Sequence, residues 1–74
     1  MKMKARTRND SIFFHIPSSV SDSFYLGENV LIFVHDKYVV GKVIKNSGRL
    51  YVRVPRSFST LIKEGEEYEI KKIT

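Results

Sequence analysis

Between Met1 and Arg8 every second residue is basic: Lys2, Lys4, Arg6 and Arg8 alternate with Met1, Met3, Ala5 and Thr7. A period of two puts these sets on opposite faces of an extended chain, so the segment reads as a β-strand. Asn9-Asp10-Ser11 is turn chemistry. Beyond it Ile12, Phe14 and Ile16 alternate with Phe13 and His15 in a second strand that Pro17 stops. Ser18 or Ser19 stands where a cap is expected, ahead of a short helix whose Val20 and Phe24 lie one turn apart. Gly27 supplies the left-handed residue that ends it. Glu28 to Val34 then forms a third strand, with Val30, Ile32 and Val34 on its buried face.

His35-Asp36-Lys37 turns the chain, and the same succession follows. Tyr38 to Lys45 is a strand, Asn46-Ser47-Gly48 a turn, and Leu50 to Val54 a second strand stopped by Pro55. Arg56 to Glu64 is the helix, with Phe58, Leu61 and Ile62 turned inward; Gly65 ends it, and Tyr68 to Ile73 is the last strand. A shift of 38 positions lays Pro17 on Pro55, Ser19 on Ser57, Ser21 on Ser59, Gly27 on Gly65, Glu28 on Glu66 and Ile32 on Ile70. Those are six identities in 27 aligned positions, where unrelated sequences give roughly two. The chain is therefore one unit, strand-strand-helix-strand, written twice: repeat one spans 1–36 and repeat two 37–74. A solenoid needs about three copies to build a core, whereas two copies suit a closed pseudo-twofold unit. Six interleaved strands closing into a small barrel leave no exposed edge. The expectation is one all-β domain over 1–74, a closed six-stranded barrel with two short helices.

Composition narrows the setting. Seventy-four residues make a domain that buries only about 60% of its unfolded surface, and there is no cysteine to staple it. With no Cys/His ligand cluster and no apolar stretch near the length of a membrane span, the expected setting is the cytoplasm. No metal, cofactor, membrane or small-molecule substrate is expected. The formal charge is +5, and it is unevenly placed: residues 1–56 hold ten Lys or Arg against four acids, residues 57–74 three against four. A basic excess of this kind attracts polyanions over a Debye length of about 10 Å.

Residues 46–73, NSGRLYVRVPRSFSTLIKEGEEYEIKKI, resemble the AbrB/MazE-like transcription regulators. In that family a Gly-Arg or Gly-Asn turn leads into a strand ending in a VRIP-like tetrapeptide. Gly48-Arg49 and Val52-Arg53-Val54-Pro55 take those places here, with Phe14-His15-Ile16-Pro17 in the first copy. Gly27-Glu28 and Gly65-Glu66 stand where the family has a Gly-Asp pair. The resemblance implies a barrel of the cradle-loop group, double-psi-like or AbrB-like, with both copies in one chain as a pseudo-dimer. It implies DNA contact through Arg49, and through Arg6 and Arg8 before the other turn. The first copy has Asp10-Ser11 where the second has Gly48-Arg49, which implies unequal half-sites.

The candidate DNA-binding set is Lys4, Arg6, Arg8, Lys42, Lys45, Arg49, Arg53 and Arg56, at the ends of equivalent strands. Forked guanidinium donors suit phosphates and guanine edges. Pseudo-symmetry is expected to bring the two turns close together and to gather these cations, Arg8 and Arg49 among them, around one cradle. Phe13, Tyr51 and His15 share a face with Arg53, a combination that also holds single strands by stacking. The expected function is a non-catalytic DNA-binding transcriptional regulator or nucleoid-associated protein, with double-stranded DNA as partner. Aspartates are scattered, and no Ser/His/Asp or Cys/His set is suggested. The alternative is a protein-interaction barrel, an adaptor or substrate-recognition module. Leu31 and Phe33 match Glu69 and Lys71, so a face charged in one copy is apolar in the other; with Tyr25 they form a candidate interface for a protein partner or homodimer.

Overall fold

Apolar residues at every second position fix six strands, and the computed structural model, which describes residues 1–73, closes them into one barrel. The strands are β1 (Lys2–Arg8), β2 (Ser11–His15), β3 (Asn29–Val34), β4 (Lys37–Asn46), β5 (Arg49–Arg53) and β6 (Glu67–Lys72). Around the barrel they run β1, β2, β5, β4, β3, β6, and β6 returns to β1 with every neighbour antiparallel. The inward residues of each strand make one core, in which Ala5, Phe14, Val30, Ile32, Val43 and Val52 are wholly shielded from solvent. Tyr68, also in the wall, accepts the Lys63 N–H at 2.9 Å and donates to Glu66 at 3.2 Å, so its hydroxyl is satisfied.

The 38-residue repeat is built into the pairing. Ala5↔Phe14 in β1–β2 recurs as Val43↔Val52 in β4–β5, and Asn29↔Lys42 recurs as Glu67↔Lys4. Two pairs join a residue to its own equivalent, Phe14↔Val52 and Ile32↔Ile70, so a pseudo-dyad passes through both. The halves are also laced together in matching ways. Gly27 N–H donates to the Val43 carbonyl at 2.8 Å and Gly65 N–H to Ala5 at 2.9 Å; Ile16 N–H reaches Leu50 and Val54 N–H reaches Ile12, both at 3.1 Å. Asn9 and Asp10 have φ of 51° and 65°, Ser47 and Gly48 of 53° and 79°. Two successive positive φ values are what a type I′ hairpin turn requires, so each turn has two residues, and Ser11 and Asn46 belong to strands.

The helical segments differ from expectation. Both are 3-10, Ser21–Ser23 and Arg56–Leu61, and neither has a side-chain cap. Ser18 serves as a backbone acceptor instead: the Ser21 hydroxyl donates to its carbonyl at 3.1 Å, as Ser59 does to Arg56 at 2.9 Å. Phe58 and Leu61 were expected inside but are exposed by 41% and 42%. At three residues per turn, positions three apart eclipse, so both share an outer stripe. Only Ile62, in extended backbone just past the segment, turns into the core, as Phe24 does after the first.

Candidate nucleic-acid interface

The outer face of the four neighbouring strands β1, β2, β5 and β4 carries most of the basic set. Cross-strand register places Arg6 beside Phe13, Phe13 beside Arg53, and Arg53 beside Lys42. At about 4.8 Å between strands, this row spans roughly 14 Å. The adjacent row holds His15, Tyr51 and Ile44. Phe13 meets Tyr51 edge-on with ring centroids 6.2 Å apart and planes at 66°, and His15 lies 5.3 Å from Tyr51. Phe13 and Tyr51 are half-buried and His15 is exposed, so no loop or helix seals this face. Arg8, Phe13, Ile44, Asn46 and Tyr51 line a small cleft across it.

Two larger grooves flank the face, and the pseudo-dyad exchanges them. One, of about 120 Å³, lies between the first hairpin turn and the second 3-10 segment, where Asp10 and Ser11 face Arg53, Arg56 and Ser59. The other, of about 300 Å³, lies between the second turn and the first 3-10 segment, where Gly48 and Arg49 face His15, Ser18 and Ser21. Each groove pairs a turn of one repeat with the serine-bearing segment of the other. The expected inequality of the copies is visible here: one groove holds a carboxylate and two guanidinium groups, the other a single guanidinium and an imidazole.

Two expectations about the basic set need correction. Because β2 and β5 are antiparallel, the two turns stand at opposite ends of their ladder, roughly 27 Å apart at about 3.4 Å per residue, and not side by side. Arg8, beside the first turn, and Arg49, beside the second, share the outward face but not one cradle. The cations form a belt instead. Lys45 does not join it, since it takes the inward parity of Val39, Gly41 and Val43 and emerges at the barrel mouth. Lys4 lies at the far edge, paired in register with Glu67.

All eight cations of the set are exposed. Among the described residues the ion pairs are those of the Met1 amino group with Glu69 and of Lys72 with Glu28, the latter at 3.4 Å. None of the eight takes part. Asp10 lines one groove with Arg53 and Arg56, while Glu67 and Glu69 sit on β6, across β1 from the aromatic rows.

Leu31 and Phe33 lie half-buried on the outer face of β3, beside Val40 and Tyr38 of β4, which are 40% and 59% exposed. The N-terminal strand does not cover them, because β1 pairs with β2 and β6. The Lys71 ammonium stands 5.6 Å over the Phe33 ring. Tyr25, in the loop ahead of β3, is 71% exposed with Lys72 5.4 Å over its ring. Ile44, Asn46 and the twin grooves escaped sequence reasoning. Applying the 38-position shift to Arg8 would have pointed to Asn46.

Compared with protein-family models, with curated proteins and with solved structures, the chain matches none. No helix among the described residues is long and apolar enough to cross a membrane.

Proposed function

We propose that this barrel binds double-stranded DNA through the outer face of β1, β2, β5 and β4, as a transcriptional regulator or nucleoid-associated protein of the AbrB-like, cradle-loop kind. It acts by binding, without catalysis, and its lack of cysteine suits the cytoplasm. The observation that carries this reading is the row Arg6, Arg53 and Lys42, in register across β1, β5 and β4 with Phe13 of β2 between the arginines, and engaged in no ion pair among the described residues. Arginine and lysine so placed displace condensed counterions from a phosphate backbone, and the release drives association. A belt suits this task better than a converging pocket, because phosphates are spaced along a line. The twin grooves extend the belt at both ends, with Arg56 at one and Arg49 at the other.

Contact with about six phosphates gives a slope of log K against log salt of about -5. A duplex titration at roughly 50 and 200 mM salt reads that slope. Replacing Arg6, Arg53 and Lys42 together by Gln should lower its magnitude by about 3 and leave the thermal transition in place. Binding that is absent at low salt, or indifferent to salt, removes the reading.

A second reading rests on a different surface. Leu31, Phe33, Tyr38 and Val40 form one outward apolar patch, while the pseudo-equivalents of Leu31, Phe33 and Val40 are Glu69, Lys71 and Lys2. A protein partner or second copy seated there would leave the basic face free. Phe33→Glu should then convert any dimer to a monomer in sedimentation velocity, whereas an unchanged coefficient speaks against a homodimer on this face.

A further inference from the structure

We infer that the centre of the same face, at Phe13 and Tyr51, binds the unpaired bases of single-stranded nucleic acid; this rests on the nucleic-acid reading above and adds a second ligand to it. Bases in a duplex stack at about 3.4 Å along each strand, and their π-faces are sealed by their neighbours. The two rings stand 6.2 Å apart with planes at 66°. Successive bases can lie on both only when they have left each other's faces and been splayed, as happens in single strands held on aromatic side chains.

The surroundings suit such a ligand. Phe13 and Tyr51 lie on β2 and β5, the two central strands of the face, while Arg6 and Lys42 lie on the flanking strands β1 and β4. A stacking centre with cationic flanks lets bases face inward while phosphates run along the rim. Asn46 lines the same cleft as both rings, within reach of a base edge. The halves differ in a way that gives direction. Around Phe13 stand Arg6, Arg8 and Arg53; their pseudo-equivalents around Tyr51 are Ile44, Asn46 and His15. A single strand, which has polarity, therefore meets a phosphate-holding half and a base-contacting half in fixed order.

The test measures oligo-dT and oligo-rU of about 15 nucleotides, within the site size of one small barrel, beside a duplex of equal length at low salt. Both single strands, or one of them, should bind the unmodified protein. Phe13→Leu with Tyr51→Leu, which keeps apolar bulk and removes both π-systems, should weaken single-strand binding at least about tenfold and alter duplex affinity less than about threefold. In case the leucine pair does not fold, the ring-proton signals of Phe13 and Tyr51 are followed in the unmodified protein; they should shift upfield on adding oligo-dT, as rings stacked on bases do, and clearly less with duplex. Duplex binding without single-strand binding overturns this inference and leaves the duplex reading standing. Equal losses for both ligands, or silent ring signals, also overturn it. Failure of every ligand to bind removes both.

Discussion

At the scale of single residues, Gly41 shows how tightly the barrel interior is packed. A methyl built on it would lie 2.7 Å from Val52 Cγ1, 2.8 Å from Ile32 Cδ1 and 3.1 Å from the Arg53 carbonyl oxygen. Val52 and Ile32 belong to the two pairs on the pseudo-dyad, and the carbonyl belongs to the ladder itself, so little can retreat. Gly41→Ala should cost about 1–3 kcal/mol by overpacking, read as a lowered denaturant midpoint. A loss confined to a few tenths would show that the barrel yields there. Met3 occupies the equivalent place in the first repeat, so close approach is a property of one side only. Arg53, in the strand neighbouring Gly41, combines two roles: its carbonyl limits the core, and the residue lines the outer groove with Asp10.

At the scale of elements, the 3-10 segment Arg56–Leu61 divides its apolar residues in a way that stability can report. Phe58→Ser and Leu61→Ser should each change stability by no more than about 0.5 kcal/mol, whereas Ile62→Ala should cost about 2–5 kcal/mol; equivalent losses at all three in chemical denaturation would place the segment against the core after all. The strands were legible because alternation is a direct consequence of backbone geometry. Met3 and Ala5, Ile12 and Phe14, Val30 and Ile32 all face the core as their period requires. The segments after Pro17 and Pro55 were less legible, since a few residues do not distinguish 3.0 from 3.6 per turn, and Phe58 changes sides with that choice. Pairing between β2 and β5 was invisible for a different reason. Local pattern identifies equivalent turns, but only the direction in which the two repeats meet decides whether Asp10 and Gly48 stand together or apart. The basic residues were all nameable, and the belt they form followed only from register.

At the scale of the whole molecule, the order β1, β2, β5, β4, β3, β6 means that no repeat pairs all its strands within itself: β3 of the first lies between β4 and β6 of the second. Unfolding should therefore be a single transition, with neither half persisting alone. The pseudo-dyad also sets apart a pair that meets in the core, Phe14 and Val52, one large and one small, both fully buried. Phe14→Val should leave a void costing about 2–4 kcal/mol, and adding Val52→Phe should restore much of it, a coupling a double-mutant cycle would measure. Two shortened chains, each holding one repeat and self-pairing, would set Phe against Phe or Val against Val, the first crowded and the second hollow. A symmetric dimer of identical repeats could not hold this interior, so each half of the chain fits the other better than it would fit a copy of itself.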